Sequence, residues 1–141
     1  MTTYTGSIVG TNRLGKVGEL SVVTGVVSLS AVTLATTDTL SFPILTQNGV
    51  TVPVEVVDFM IFSSTTTPAS LIAKAGNSDN DAGFMAATGF TETGQMVRKG
   101  NGALIGTRIK NSTVTVTPTV SASASYTGDY IVKLLVIPTN D

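Results

Sequence analysis

The sequence contains no cysteine, no histidine and no tryptophan. Without cysteine, neither a disulfide nor a thiolate metal site can form. Without histidine, the commonest general base and the commonest transition-metal ligand are both missing. Aromatic residues make up only 6% of the chain, which leaves few platforms on which a sugar ring could stack. Charge is scarce as well, at 12% of residues, about half the usual share. Eight basic and nine acidic residues give a formal net charge of −1, so long-range attraction to nucleic acid or an anionic membrane is not expected. No apolar run is long enough to cross a bilayer as a helix. The start, MTTYTGSIVG, has no charged segment followed by an apolar run and reads as lacking a signal peptide.

What remains is threonine, serine, glycine and a hydrophobic content of 42% in 141 residues. That is enough for one domain with a sizeable core. Hydroxyl residues in place of charges favour strands and turns over solvent-exposed helices. The most strand-like stretch is Val50 to Phe62, VTVPVEVVDFMIF, which carries apolar residues on both alternating faces, as a central strand does. Pro53 cannot donate to a ladder, so its early half belongs near an edge or a bulge. Before it, Leu40, Phe42 and Ile44 alternate with Thr39, Ser41 and Pro43, and Asn48-Gly49 is the strongest hairpin signal in the chain. A three-residue loop, Gln47-Asn48-Gly49, would pair Ile44 with Val52, Phe42 with Val54 and Leu40 with Val56, keeping faces together. We expect that form, with Gly49 left-handed.

Further on, SLIAKAG and ALIGTRIK read as strands, Asn77 to Thr93 as a loop, and the stretch around Arg98-Lys99 as a hairpin tip. The run TVTVTPTVSASASYTGDYIVKLLVIP reads as a closing hairpin. Its second half, Tyr130 to Ile137, is apolar on both faces except at Lys133. No segment carries a capped helical stripe. Many short strands separated by Gly, Asn, Asp and Pro turns predict an all-β chain, an antiparallel β-sandwich or jelly roll. Residues 1–18, polar and glycine-spaced, read as an extended N-terminal arm, and residues 19–141 as a single sandwich domain.

Chemistry-bearing constellations are few. Asn77, Asp79 and Asp81 have the alternating oxygens of a calcium loop, but the turn glycine stands one place late and no glutamate falls at the twelfth position. Neither a metal nor a cofactor is therefore expected. Asp58, amid Val57, Phe59 and Met60, needs a partner if it is buried. Thr113, Thr115, Thr117 and Thr119 form a hydroxyl ladder, and ice binding would need such rows on several adjacent strands. The arm, with Tyr4, Ile8, Val9, Arg13 and Lys16, could reach a neighbouring subunit, and Arg98 with Lys99 could grip a carboxylate or phosphate of a partner. No phosphate loop, nucleophile elbow or acid pair is present, and an enzyme is not expected.

The polar start MTTYTGSIVGTNRLGKVG, the dense run of strands and the terminal stretch TVTVTPTVSASASYTGDYIVKLLVIP together resemble small all-β virion proteins of tailed bacteriophages, of the capsid decoration (cement) type. The resemblance implies a jelly-roll or sandwich subunit, commonly a homotrimer. Such a subunit binds major capsid protein on the virion surface and is assembled in the host cytoplasm. It implies neither nucleic acid nor membrane as partner. A tail or fibre component is an alternative within the virion. A second is a carbohydrate-binding sandwich using Tyr4, Tyr126 or Tyr130 with the loop from Asn77 to Thr93. A third is a small hydrolase using Asp58 or Asp79, Asp81 and Glu92.

Overall fold

Alternating β-branched and hydroxyl residues commit this chain to pleated backbone, and turn residues divide it into short runs. The computed structural model describes residues 2–8, 16–47, 49–63, 72–89, 96–98, 102–120 and 125–139, and no helix occurs among them. The strands are β1 (Thr3–Thr5), β2 (Ser7–Ile8), β3 (Ser21–Val32), β4 (Thr39–Phe42), β5 (Thr46–Gln47), β6 (Val50–Thr51) and β7 (Val54–Ser63). They continue as β8 (Ile72–Gly76), β9 (Met85–Gly89), β10 (Met96–Arg98), β11 (Arg108–Ile109), β12 (Val114–Val120) and β13 (Tyr126–Pro138). One sheet has the order β1-β4-β12-β8-β9 and the other β10-β7-β13-β3-β2, with β11 also on β7 and β5-β6 as a separate ribbon. Among the described residues all pairings are antiparallel except β1 with β4. The chain is an all-β sandwich.

The long strands pair in a nested way: β8 with β9, β7 with β10, β4 with β12, and β3 with β13. The terminal stretch expected as a closing hairpin is therefore two strands in different sheets. The centre of the larger sheet is β13, flanked by β3 from Ser21 to Val32 and by β7 from Val54 to Ser63. The expected central strand, Val50 to Phe62, is split at Pro53, and only its later part joins that sheet. Within β7, Leu135 faces Asp58 while Val136 faces Val56, which makes Val57 an extra, bulged residue. The bulge changes the phase of the alternation, so Val54, Val56, Phe59 and Ile61 all point into the core. This is how a run apolar in both phases buries one face.

Thr46 faces Thr51 and Gln47 faces Val50, leaving a two-residue loop at positions 48 and 49 instead of the expected three; Asn48 itself lies outside the described residues. Gly49 is left-handed, with φ 78°, as the turn chemistry requires. The matching of faces that favoured a three-residue loop has no bearing here, because Phe42 pairs with Val114 in one sheet and Val54 with Pro138 in the other. Two further expectations change. Gly102 to Thr107 forms turns, closed by the Ile105 N–H on Gly102 O (3.1 Å) and the Thr107 N–H on Leu104 O (3.2 Å), before the short β11. The stretch expected as a loop from Asn77 contains β9, and Arg98 lies in β10.

The segment expected as an arm is paired with its own chain where it is described. Tyr4 pairs with Leu40 and Ile8 with Gly25, so the first strands extend both sheets and cross between them at Gly6. Asp38, buried, accepts the Thr2 N–H on Oδ1 and the Ala35 N–H on Oδ2, each at 3.0 Å. Tyr4 and Ile8 pack partly buried against the core.

Between the sheets, Phe59 stacks on Phe84 with centroids 5.5 Å apart, and Tyr126 lies 5.0 Å from Tyr130. Burial, with Tyr126 beside it, pushes the Tyr130 hydroxyl above its ordinary value of 10.0. The neutral phenol is thus favoured in the folded state. Its contribution is fully present below pH 10 and is lost as pH rises toward the folded value. Stability is expected to fall above about pH 10 by up to about 1.4 kcal/mol per pH unit, and Tyr130→Phe is expected to flatten that alkaline limb in urea melts. A Cβ on Gly76 would collide with the backbone of Asn80 and Asp81. Gly76→Ala is therefore expected to cost about 1–3 kcal/mol, read from the same melts.

Candidate interaction surface

The two outer faces of the sandwich differ in chemistry. On the smaller sheet, Thr3 lies beside Thr39 and Thr5 beside Ser41, and Ser41 faces Thr115. Beyond them, Thr115 faces Gly76 and Thr117 faces Lys74. The threonine ladder visible on β12 is thus continued by hydroxyls on β4 and β1, including a Thr39 Oγ1 to Thr3 Oγ1 hydrogen bond of 3.4 Å. Hydroxyls satisfy themselves in water, and this face is suited to remain solvated.

At one end of that sheet lies an open groove of about 610 Å³ whose lining includes Thr51, Asn77, Ser78, Asp81, Lys110 and Asn111. It contains Asn77 and Asp81 of the calcium-like pattern, but their side-chain oxygens are engaged within the chain itself. Asn77 Oδ1 accepts the N–H groups of Asp79 (2.9 Å) and Asn80 (3.1 Å), and Asp81 pairs with Lys74 Nζ at 2.7 Å. Among the described residues no group of three or more acidic side chains comes together. Among the described residues the groove has no aromatic ring in its lining. Tyr126 and Tyr130, two of the three tyrosines named for the carbohydrate-binding alternative, are each 1% exposed, which removes them from any such role.

The larger sheet presents a different outer face, set by three cross-strand rows. They run Val22–Leu135–Asp58, Thr24–Lys133–Met60 and Val26–Ile131–Phe62 across β3, β13 and β7. An outer face of an antiparallel sheet is ordinarily polar; this one is apolar at six of nine positions in those rows. Val22 is 57% exposed, and Leu20 at 60% adjoins the start of β3. A shallow cleft lined by Val22, Asp58, Met60, Lys133 and Leu135 opens on this face. Lys133 Nζ sits 5.9 Å from the Phe62 ring centroid, a cation–π contact. Asp58 Oδ1 accepts the Phe59 N–H at 2.8 Å, holding the bulge. Neither charge is in an ion pair among the described residues. Half-buried opposite charges thus sit in an apolar field, and among the described residues no nucleophile and base stand together on this face.

The other sequence-derived contacts are dispersed. Lys16 is exposed in a turn whose Glu19 N–H donates to Lys16 O (2.9 Å), and Gly18 N–H donates to Pro138 O (3.0 Å). Arg98 faces Met60 in the ladder between β10 and β7. Val9, Arg13, Lys99 and Glu92 lie outside the described residues. Sequence reading noted Lys133 and Asp58 separately; only the register places them on one face in adjacent rows.

No family model and no curated protein matches this chain. Its structure is similar to that of a chain in the cyanophage Pam1 capsid asymmetric unit, with a TM-score of 0.57 and 16% identity, over 94% of this chain and 93% of that one. It is a likeness of fold. Because both chains are covered almost end to end, it extends over the whole sandwich and not a fragment of it.

With Asn77 Oδ1 and the Asp81 carboxylate already engaged, added calcium is expected to leave the melting temperature unchanged. A rise in Tm with calcium would show that the loop reorganises around the ion.

Proposed function

We propose that this chain is a structural, non-enzymatic virion protein that decorates and stabilises a phage capsid by binding major capsid protein subunits. The observation that carries the reading is the end-to-end likeness to a chain of a phage capsid asymmetric unit. The nested pairing of β3 with β13, β4 with β12, β7 with β10 and β8 with β9 supports a jelly roll, a doubled-back ribbon rolled into two sheets. In this reading the subunit sits on the virion surface as a homotrimer after assembly in the host cytoplasm. Its near-neutral, low-charge composition suits contacts made by hydrogen bonds and apolar groups, with little salt dependence. Tyr4 and Ile8 pair with the protein's own sandwich, while Arg13 and Lys16 meet acidic groups of a neighbour and Arg98 and Lys99 grip a carboxylate or phosphate of a partner.

Co-expression with the shell protein encoded in the same genome, followed by gradient sedimentation, tests this. The chain is expected to travel with assembled shells and to raise the temperature at which they open. Full-size shells that leave it at the top of the gradient would overturn the reading.

A further inference from the structure

The outer face of the larger sheet combines an apolar field with one charge of each sign. A face built for an acidic or a basic partner would carry one sign only. Here Lys133 and Asp58 lie in adjacent rows, both half-buried and neither ion-paired among the described residues. Such a face is complementary to itself: a rotated copy can set its aspartate against the lysine while the apolar side chains close around the pair. We propose that copies of this chain meet through this face, with Lys133 of one copy bound to Asp58 of the next and Val22, Ile131, Leu135 and Phe62 buried around them. The proposal deepens the self-association part of the reading above and does not require the shell partner.

Two partly desolvated charges that pair across an interface gain more than a solvated pair does, and reversing one leaves like charges facing each other. The test is light scattering of the purified full chain over a range of concentrations, with circular dichroism and thermal melts confirming the fold of each variant. Wild type is expected above the 14.5 kDa monomer mass. Val22→Glu, at a position exposed enough to tolerate a charge, is expected to give the monomer. Lys133→Glu and Asp58→Lys are each expected to weaken association about tenfold or more, and the double variant to regain most of the loss. A monomeric wild type, a Val22→Glu variant of unchanged mass, or a double variant no better than the singles would overturn the proposal. Shell sedimentation separates the two readings. If the wild type is monomeric and Val22→Glu loses the shell, the face belongs to the shell protein and self-association falls. If the variants follow the expected masses while no form binds shells, the self-association stands and the decoration reading falls.

Discussion

Everything in this sandwich hangs on the backbone ladders along the two edges of β13. One edge pairs with β3 from Val136 opposite Ser21 to Tyr126 opposite Val32, and the other with β7 from Tyr130 opposite Ser63 to Pro138 opposite Val54. Those pairings fix which residues of three strands look inward. Tyr130, Val132, Leu134 and Val136 then meet Val23, Val27, Val56, Phe59 and Ile61 in one core layer. Register errors are costly in such a sheet because a slip by one residue exchanges its two faces. Here the exchange would be less obvious to the chain than usual, since the outer face is apolar too. The bulge at Val57, held by the Asp58 carboxylate on the Phe59 N–H, is one local feature that distinguishes the two phases. Asp58 thereby serves the fold as well as any contact made on the outer face.

The division of labour between the outer faces follows from the same geometry. Threonines and Ser41 on β1, β4 and β12 cover the smaller sheet with hydroxyls, while Ile131, Leu135, Met60 and Phe62 cover much of the larger one. A sandwich with two polar sides has no preferred orientation toward a neighbour. One with a single apolar side does. Burying that side removes hydrophobic surface from water at about 25 cal/mol per Å², offset by the cost of ordering two molecules against each other.

Much of this was legible in the sequence, and the illegible part has a physical cause. Strand content follows from local preference, and Leu40 and Phe42 alternate inward as their pattern implies. Gly49 is left-handed because an Asn-Gly turn asks for it. What local pattern does not contain is partner choice. Phe42 faces Val114 and not Val54, and nothing within several residues of Phe42 could say so. The Tyr126–Tyr130 pair looked available for stacking because its alternation is ambiguous, with apolar residues in both phases of β13; its burial is decided by β3 and β7. For the interaction surface, the side chains were visible but their juxtaposition was not. Lys133 and Asp58 are far apart in sequence and become neighbours only through the β7–β13 register.

The nested pairing also carries an expectation about the order of folding. The β8–β9 contact closes a short loop, whereas Ser28 and Asp129, joined by a 2.6 Å hydrogen bond, are 101 residues apart. Loop-closure entropy favours the inner pair first and delays the outer one. The strand at the middle of the larger sheet is therefore among the last to find its place, and until it does, β3 and β7 each expose an edge and an apolar face. Slow, concentration-sensitive folding is the natural companion of this topology. During that interval the chain is most exposed to adhesion by other unfinished copies.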